Sequence, residues 1–315
     1  MAPKIAVITG PTASGKTALG VLLCQKLGGE VVSADSMQIY RRMDIGTAKP
    51  TAEETQGVPH HMIDVADPAE NWSVARYVEA AAACVDDILA RGKLPVVVGG
   101  TGLYIDSLLA GRGFAGGPVN DALRQELCER YDEIGAKGLL GELRKVDPER
   151  AEKLHPGDKK RVVRALEVYI LTGKTITQHD LETKARPPRY DAAKIALDFA
   201  NRQDLYDRID RRVEHMFARG LMDEVRALVE SGVPESSTAM QAIGYKEALG
   251  VLHGEISEAE AVETIQRESR RYAKRQLTWL RRDGAAEWHR FGPSPDLADA
   301  LQHSTRFLLT RGIEY

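Results

Sequence analysis

The chain has 315 residues, enough for one large domain or two with a proper core. Apolar residues make up 43% and charged residues 28%, with 28 Gly and 14 Pro, which excludes collagen-like and low-complexity classes. The formal charge of −3 excludes a global polycation, so any nucleic acid must be met by local basic surfaces.

Residues 5–9 read as a strand, and residues 16–27 as a helix with Leu19, Leu22, Leu23 and Leu27 on one face. Residues 31–33 form a second short strand. Residues 72–91 carry Val74, Tyr77, Val78, Ala81, Val85, Ile88 and Leu89 at helical spacing, and residues 94–98 have the β-branched composition of a buried strand. Strands alternating with helices imply a parallel α/β sheet that binds ligands outside the strands' carboxyl ends. A Gly/Pro break at residues 111–118 leads into helical pattern over 121–131, 137–146 and 158–171, and Ala185-Arg186-Pro187-Pro188 makes a second break. Strand pattern resumes at 194–199, followed by long helices. The expected organisation is an α/β core of residues 1–118 and 194–315 with an all-helical insertion, residues 119–193.

The last long helix is well signalled. Ser257 and Glu260 form a capping box, Val262, Ile265, Ala273, Leu277 and Leu280 follow at helical spacing, and Asp283-Gly284 ends it. Its exposed positions carry Arg267, Arg270, Arg271, Lys274, Arg275, Arg281 and Arg282 against only Glu268 and Asp283 nearby. A solvated face is the plain reading, but the shortage of acidic partners points to a polyanion. Cys24, Cys84 and Cys128 are widely separated, which excludes a disulfide scaffold or Cys-rich zinc site and fits a reducing compartment. No signal-peptide core precedes the first strand, and no apolar run approaches ~18 residues. A cytoplasmic protein is expected, with no membrane partner.

The strongest motif is Gly10-Pro11-Thr12-Ala13-Ser14-Gly15-Lys16-Thr17, which fits GxxxxGK[ST] between a strand and a helix. Its backbone N–H groups and the helix N-terminus cradle phosphate oxygens, Lys16 adds a point charge, and Thr17 offers a hydroxyl ligand for Mg²⁺. A hydrolytic ATPase normally ends a strand in a metal-binding Asp, yet residues 94–98 run into Gly99-Gly100-Thr101-Gly102. The available carboxylate is Asp35, just past the second strand, which brings Asp35, Thr101 and the phosphate loop to one end of the sheet. Asp35 suits a helix N-cap as well as it suits chemistry. His60 and His61 lack a third nearby ligand and read as structural. Tyr40, Trp72 and Tyr104 could stack on a base, though such aromatics are more often core.

Together, Gly10 to Thr17, Asp35-Ser36-Met37-Gln38 with Tyr40, Asp44-Ile-Gly-Thr-Ala-Lys-Pro50, Pro59-His60, Gly99-Gly-Thr-Gly-Leu-Tyr104, Asp147-Pro148, His155-Pro156, Arg164-Ala-Leu-Glu-Val-Tyr169, Gly244-Tyr245 and Ala273-Lys-Arg-Gln-Leu-Thr-Trp-Leu280 resemble the tRNA dimethylallyltransferases, also called tRNA isopentenyltransferases. The resemblance runs in order from about residue 4 to 283. It implies a P-loop NTPase-like core with a helical insertion that embraces the anticodon stem-loop. It also implies Mg²⁺-dependent transfer of a dimethylallyl group from its diphosphate to N6 of the adenosine immediately 3′ of the anticodon (position 37), in tRNAs reading codons that begin with U. The cradle would then hold a leaving diphosphate, with no nucleotide hydrolysed.

By the same resemblance, Asp35 is the general base, Thr101 and Lys16 complete the catalytic group, and Arg212 clamps the diphosphate. The extruded adenosine would be read by Ser36, Met37 and Gln38 beside Asp35 and Thr101. The resemblance extends tRNA contact to Arg124, Lys159, Lys160, Arg161, Val162 and Val163 of the insertion. It also reaches Gln241, Gly244, Tyr245, Lys246, Arg271, Lys274 and Arg275 of the core. No zinc finger of the kind eukaryotic members append is present, so the bacterial type is expected, and as a monomer, since no dimerisation seam is evident.

Overall fold

The computed structural model describes residues 2–113 and 120–314. The chain divides into two compact units, residues 1–109 with 189–315, and residues 110–188. In the first unit β1 (Lys4–Thr9), α1 (Lys16–Leu27), β2 (Gly29–Ser33), α2 (Ala52–Thr55), β3 (His60–His61), α3 (Val74–Ala90), β4 (Leu94–Gly99) and α4 (Gly102–Leu109) follow one another. The second unit contributes α5 (Asp121–Val146), α6 (Pro148–Lys153), α7 (Lys159–Thr172) and α8 (Ile176–Lys184). The chain then re-enters the first unit through β5 (Asp191–Phe199), α9 (Arg202–Ala218), α10 (Leu221–Glu230), α11 (Tyr245–Leu252), α12 (Glu258–Leu280), β6 (Glu287–Phe291) and α13 (Leu297–Thr310).

The six strands make one parallel sheet in the order β3-β2-β4-β1-β5-β6. A parallel sheet needs both faces covered, and the central strands supply the apolar residues for it. Ala6, Ile8, Val96, Val98, Ile195 and Leu197 share one core with Leu19 and Leu23 of α1 and with Ala300 and Leu308 of α13. The alternate positions Ile5, Val7 and Val97 are equally buried. Because β2 and β5 lie on opposite sides of β1, connections leave the centre in both directions, which opens a crevice at the strands' carboxyl ends.

β5 starts at Asp191, three residues before the expected strand. Asp191-Ala-Ala carries little strand propensity, and pairing with Lys4, Ile5 and Ala6 of β1 recruits it. The units therefore part at 188/189, while the expected boundary lay at 193/194. In the second unit the two helices expected at 121–131 and 137–146 form one element broken at Gly135, whose φ of 76° no helix accommodates. Leu127, Leu139, Leu143, Val162, Val163 and Leu166 pack as its own core. Residues 114–118 of the expected Gly/Pro break lie outside the described residues. No described helix is long and apolar enough to cross a membrane.

The edge beside β3 is held by charge. Glu30, 3% exposed at its side chain, receives both guanidinium nitrogens of Arg91 at 2.5 and 2.8 Å, Lys93 at 2.7 Å and His61 Nε2 at 2.7 Å. The Arg91 hydrogen bonds outweigh the cost of burial and hold its carboxyl well below the usual range. A depressed carboxyl stabilises the fold above its unfolded-state pKa and ceases to do so as pH falls through its folded value. Replacing Glu30 by Gln is therefore expected to cost about 1–3 kcal/mol at neutral pH, because Arg91 and Lys93 lose their shared anionic partner. Urea unfolding of the two proteins should show that gap closing as pH falls below about 4.

Candidate active site

The carboxyl ends of β1, β2 and β4 open into a cavity of about 380 Å³ in the first unit. Thr12, Lys16 and Thr17 of the phosphate loop line it, as do Asp35, Arg212 and Gln276. The loop follows β1 and ends at Gly15, which caps α1 with a φ of 88° that a side chain would strain. Lys16 Nζ folds back onto the Pro11 carbonyl at 3.2 Å, and the Ser14 hydroxyl is buried with no hydrogen-bond partner. Arg208 Nε holds the loop from outside through the Ala13 carbonyl at 3.0 Å.

The electrostatics favour an anion. Burial pushes the Lys16 ammonium down to about 8, Arg212 adds to that lowering, and Asp35 opposes it. Burial likewise lowers Arg212, against the attraction of Asp35. Two cations confined together at the cost of their own protonation, beside backbone N–H groups at a helix N-terminus, are stabilised by an incoming phosphate. Arg211, its neighbour, is exposed and bonds Asp207, so Arg212 alone of the pair reaches the cavity.

Asp35 serves both readings at once. Its Oδ1 accepts the Met37 and Gln38 N–H groups at 2.9 and 3.3 Å, which is a capping role, while no donor among the described residues reaches Oδ2. It is the one carboxylate among the described residues lining the cavity. Thr101 joins the turn after β4 to the turn after β2: its N–H donates to the Ala34 carbonyl, and its hydroxyl accepts the Ser36 N–H at 3.2 Å. The Tyr272 hydroxyl, raised to about 12 by burial and by Asp35, also hydrogen-bonds Thr101.

Of the residues assigned to tRNA, Ser36, Met37 and Gln38, expected to read the base, line the cavity together with Gln241 and Arg275. Lys246, Arg271 and Lys274 are exposed. Two groups of the residues assigned to tRNA have buried side chains. Val162 and Val163 are 0% and 2% exposed in the second unit's own core, so their side chains hold α7 in place and offer a ligand nothing. Tyr245 is fully buried with its hydroxyl on Glu224 at 2.6 Å, and Gly244 beside it is buried too. The shortage of acidic partners on α12 is also corrected, because the partners come from elsewhere in the chain. Arg270 pairs with Asp210, and Arg281 with Asp198, while Arg271 uses Glu268. In the second unit Lys159 pairs with Asp132 and Arg161 with Asp158, and Arg124 and Arg164 both reach the buried Glu167. Lys160 stands exposed beside them.

Gln276 is the residue that the sequence reading passed over. Its side chain is buried, Oε1 accepts the Thr12 N–H at 2.9 Å, and Nε2 donates to the Gly100 carbonyl at 3.0 Å. An amide on the apolar face of α12, between Ala273 and Leu277, was the available signal. Replacing it by Leu leaves both backbone groups without partners. We expect a loss of about 2 kcal/mol in stability by urea unfolding, with weaker binding of inorganic diphosphate by calorimetry. Full diphosphate affinity in the variant would show that the loop keeps its shape unaided.

Fold and site define a P-loop protein whose anion cradle opens beside a carboxylate, an arrangement suited to transferring a group away from a phosphate. Comparison with known proteins narrows the class. The IPP transferase family model matches residues 38–283, and an isopentenyl transferase model matches residues 3–68. The chain is 48% identical to a tRNA dimethylallyltransferase of Caldanaerobacter subterraneus over 91% of this chain and 92% of that one. It is 45% identical to another from Geobacillus kaustophilus over 98% and 97%. The crystal structure of a Bacillus halodurans tRNA isopentenylpyrophosphate transferase is 40% identical, with a TM-score of 0.72 over 98% of each chain. A eukaryotic dimethylallyltransferase solved acting on tRNA is 30% identical, with a TM-score of 0.80 over 98% of this chain and 79% of that one. The chain belongs to the IPP transferase family.

Proposed function

We propose that this protein transfers a dimethylallyl group from dimethylallyl diphosphate to N6 of adenosine 37, immediately 3′ of the anticodon, in tRNAs reading codons that begin with U. The observation that carries the reading is the single cavity in which the phosphate loop and Arg212 meet a carboxylate with one unengaged oxygen. The relatives named for this activity, at close to half identity over most of the chain, support it. A cytoplasmic location and a monomeric state are part of the same proposal.

The chemistry follows from the residues. The N6 lone pair is delocalised into the adenine ring, so the amine needs its proton removed as it attacks C1 of the donor. The N6–C1 bond forms, the C1–O bond breaks, and the proton passes to Asp35 Oδ2. Negative charge gathers on the departing diphosphate, where Lys16, Arg212, the Ser14 hydroxyl and the loop N–H groups stabilise it. Thr101 keeps the turn carrying Asp35 against β4. Mg²⁺ would be held by the Thr17 hydroxyl with phosphate oxygens and water, an all-oxygen set that such an ion accepts, and when bound it neutralises leaving-group charge. The apolar side of the cavity, with Val213, Met216, Ile243 and Ile265, suits the prenyl tail. Phosphates of the anticodon stem-loop would meet Lys160 and Arg161 on one unit and Lys274 and Arg275 on the other.

Two measurements test this. Asn at position 35 still accepts the Met37 and Gln38 N–H groups, so Asp35→Asn should keep the turn and the binding of tRNA. Its single-turnover rate with saturating tRNA and donor should nonetheless fall roughly 10²–10⁴-fold. Near-wild-type chemistry would remove Asp35 as the base. Separately, Lys160→Ala and Lys274→Ala should each lower the slope of log K for tRNA against log salt by roughly 0.7–0.9. Arg271→Ala, whose guanidinium already has Glu268, should lower it less; the wild-type slope in all three would mark them as ordinary solvated charges.

A further inference from the structure

The segment from Asp44 to Pro50 stood out in the sequence, and the reaction leaves it without a role. Its residues Gly46, Thr47 and Ala48 form part of the cavity wall. The wall is anchored at its back by one carboxylate. Glu224 of α10 accepts the N–H groups of Asp44 at 2.8 Å, Ile45 at 2.7 Å and Gly46 at 3.0 Å, and the Tyr245 hydroxyl donates to its Oε1 at 2.6 Å. Four donors converge on two oxygens, so only an ionised carboxylate satisfies them. The fit is close: a Cβ on Gly46 would meet the Tyr245 ring at 2.5 Å. Lys49, buried, clamps the far end through the Tyr40 carbonyl, Asp44 and Asp64.

The front of the segment acts on Gln38. Gln38 Nε2 donates to the Thr47 and Ala48 carbonyls at 3.3 and 3.1 Å, which uses both of its N–H groups. The direction of the amide is thereby set, and Oε1, without a partner among the described residues, is the polar atom Gln38 has left to offer a ligand. Asp35 Oδ2 is a second acceptor on the same cavity. Two acceptors match the two N–H bonds of an exocyclic amine, and they repel the lone pairs of an exocyclic oxygen.

We infer that Glu224, with Tyr245, is a positioning residue that fixes Gln38 as an acceptor and so selects a base bearing an exocyclic amine over one bearing an exocyclic oxygen. The inference rests on the adenosine-directed function proposed above. Glu224 touches no substrate; it acts through the Asp44–Gly46 backbone and the carbonyls that follow.

The test compares anticodon stem-loops carrying adenosine or inosine at the target position, with inorganic diphosphate in place of the donor so that no transfer occurs. Wild type should bind the adenosine loop roughly tenfold more tightly. Glu224→Gln sets an amide N–H₂ against backbone N–H groups; the preference should shrink to about threefold or less. Tyr245→Phe leaves the three backbone bonds in place and should shrink it partway, which keeps the test decisive if the Gln variant does not fold. Inorganic diphosphate alone should bind all three proteins equally, a result that general loosening of the core would not give. An undiminished preference in both variants, or a loss of diphosphate binding equal to the loss of preference, overturns the inference. A wild type that binds the two loops alike overturns the inference, and one that transfers no dimethylallyl group to the adenosine loop when given the donor overturns the adenosine-directed function itself.

Discussion

The Gln276 amide lies where α12 crosses the ends of β1 and β4, and it is hydrogen-bonded in both directions, to the Thr12 N–H and the Gly100 carbonyl. The phosphate loop and the turn carrying Thr101 leave the sheet on separate strands. The ladder ends where the Thr9 hydroxyl of β1 donates to the Gly99 carbonyl of β4 at 2.9 Å. Beyond that pair the Gln276 side chain, with a donor and an acceptor in fixed geometry, holds the two segments together. Thr101 passes that placement on to the turn of Asp35 through Ser36 and Ala34. The distance between the anion cradle and the carboxylate therefore depends on a helix some 260 residues downstream of the loop, and a loosely held pair would lose much of its catalytic advantage.

The electrostatic design follows from the same crowding. Burial is the main cost to both cations; Arg212 adds to it at Lys16, while Asp35 offsets it at both and Glu54 offsets it at Arg212. A site poised this way pays for bringing its cations together in the empty protein. The anion that arrives then finds donors already aimed and little left to reorganise.

Much of this was legible in the sequence, and the physical reason is range. The loop from Gly10 to Thr17, the strand at 94–98, the capping box of Ser257 and Glu260 and the helical pattern on either side of Gly135 are set by neighbours a few residues away. What stayed hidden depends on partners far along the chain. The arginines of α12 looked unpaired because Asp210 and Asp198 lie 60 and 83 residues from Arg270 and Arg281. Glu224 gave no sign of holding a segment 180 residues earlier. The resemblance groups Val162 and Val163 with Lys159 to Arg161 as tRNA contacts, although their side chains are buried against the facing leucines of α5. The start of β5 was missed because its pairing partner supplies the order its own residues lack.

The second unit leaves the first at Leu109 and returns at Arg189, and the backbone N–H of Arg189 donates to the carbonyl of Leu109 at 2.9 Å. Departure and return are thus a single point on the surface of the first unit. An excursion that begins and ends at one hydrogen bond imposes no strain on the sheet, whatever its length, and lengthening it costs only the slow logarithm of loop closure. In this sense residues 110–188 can change in length while the residues that line the cavity keep their register.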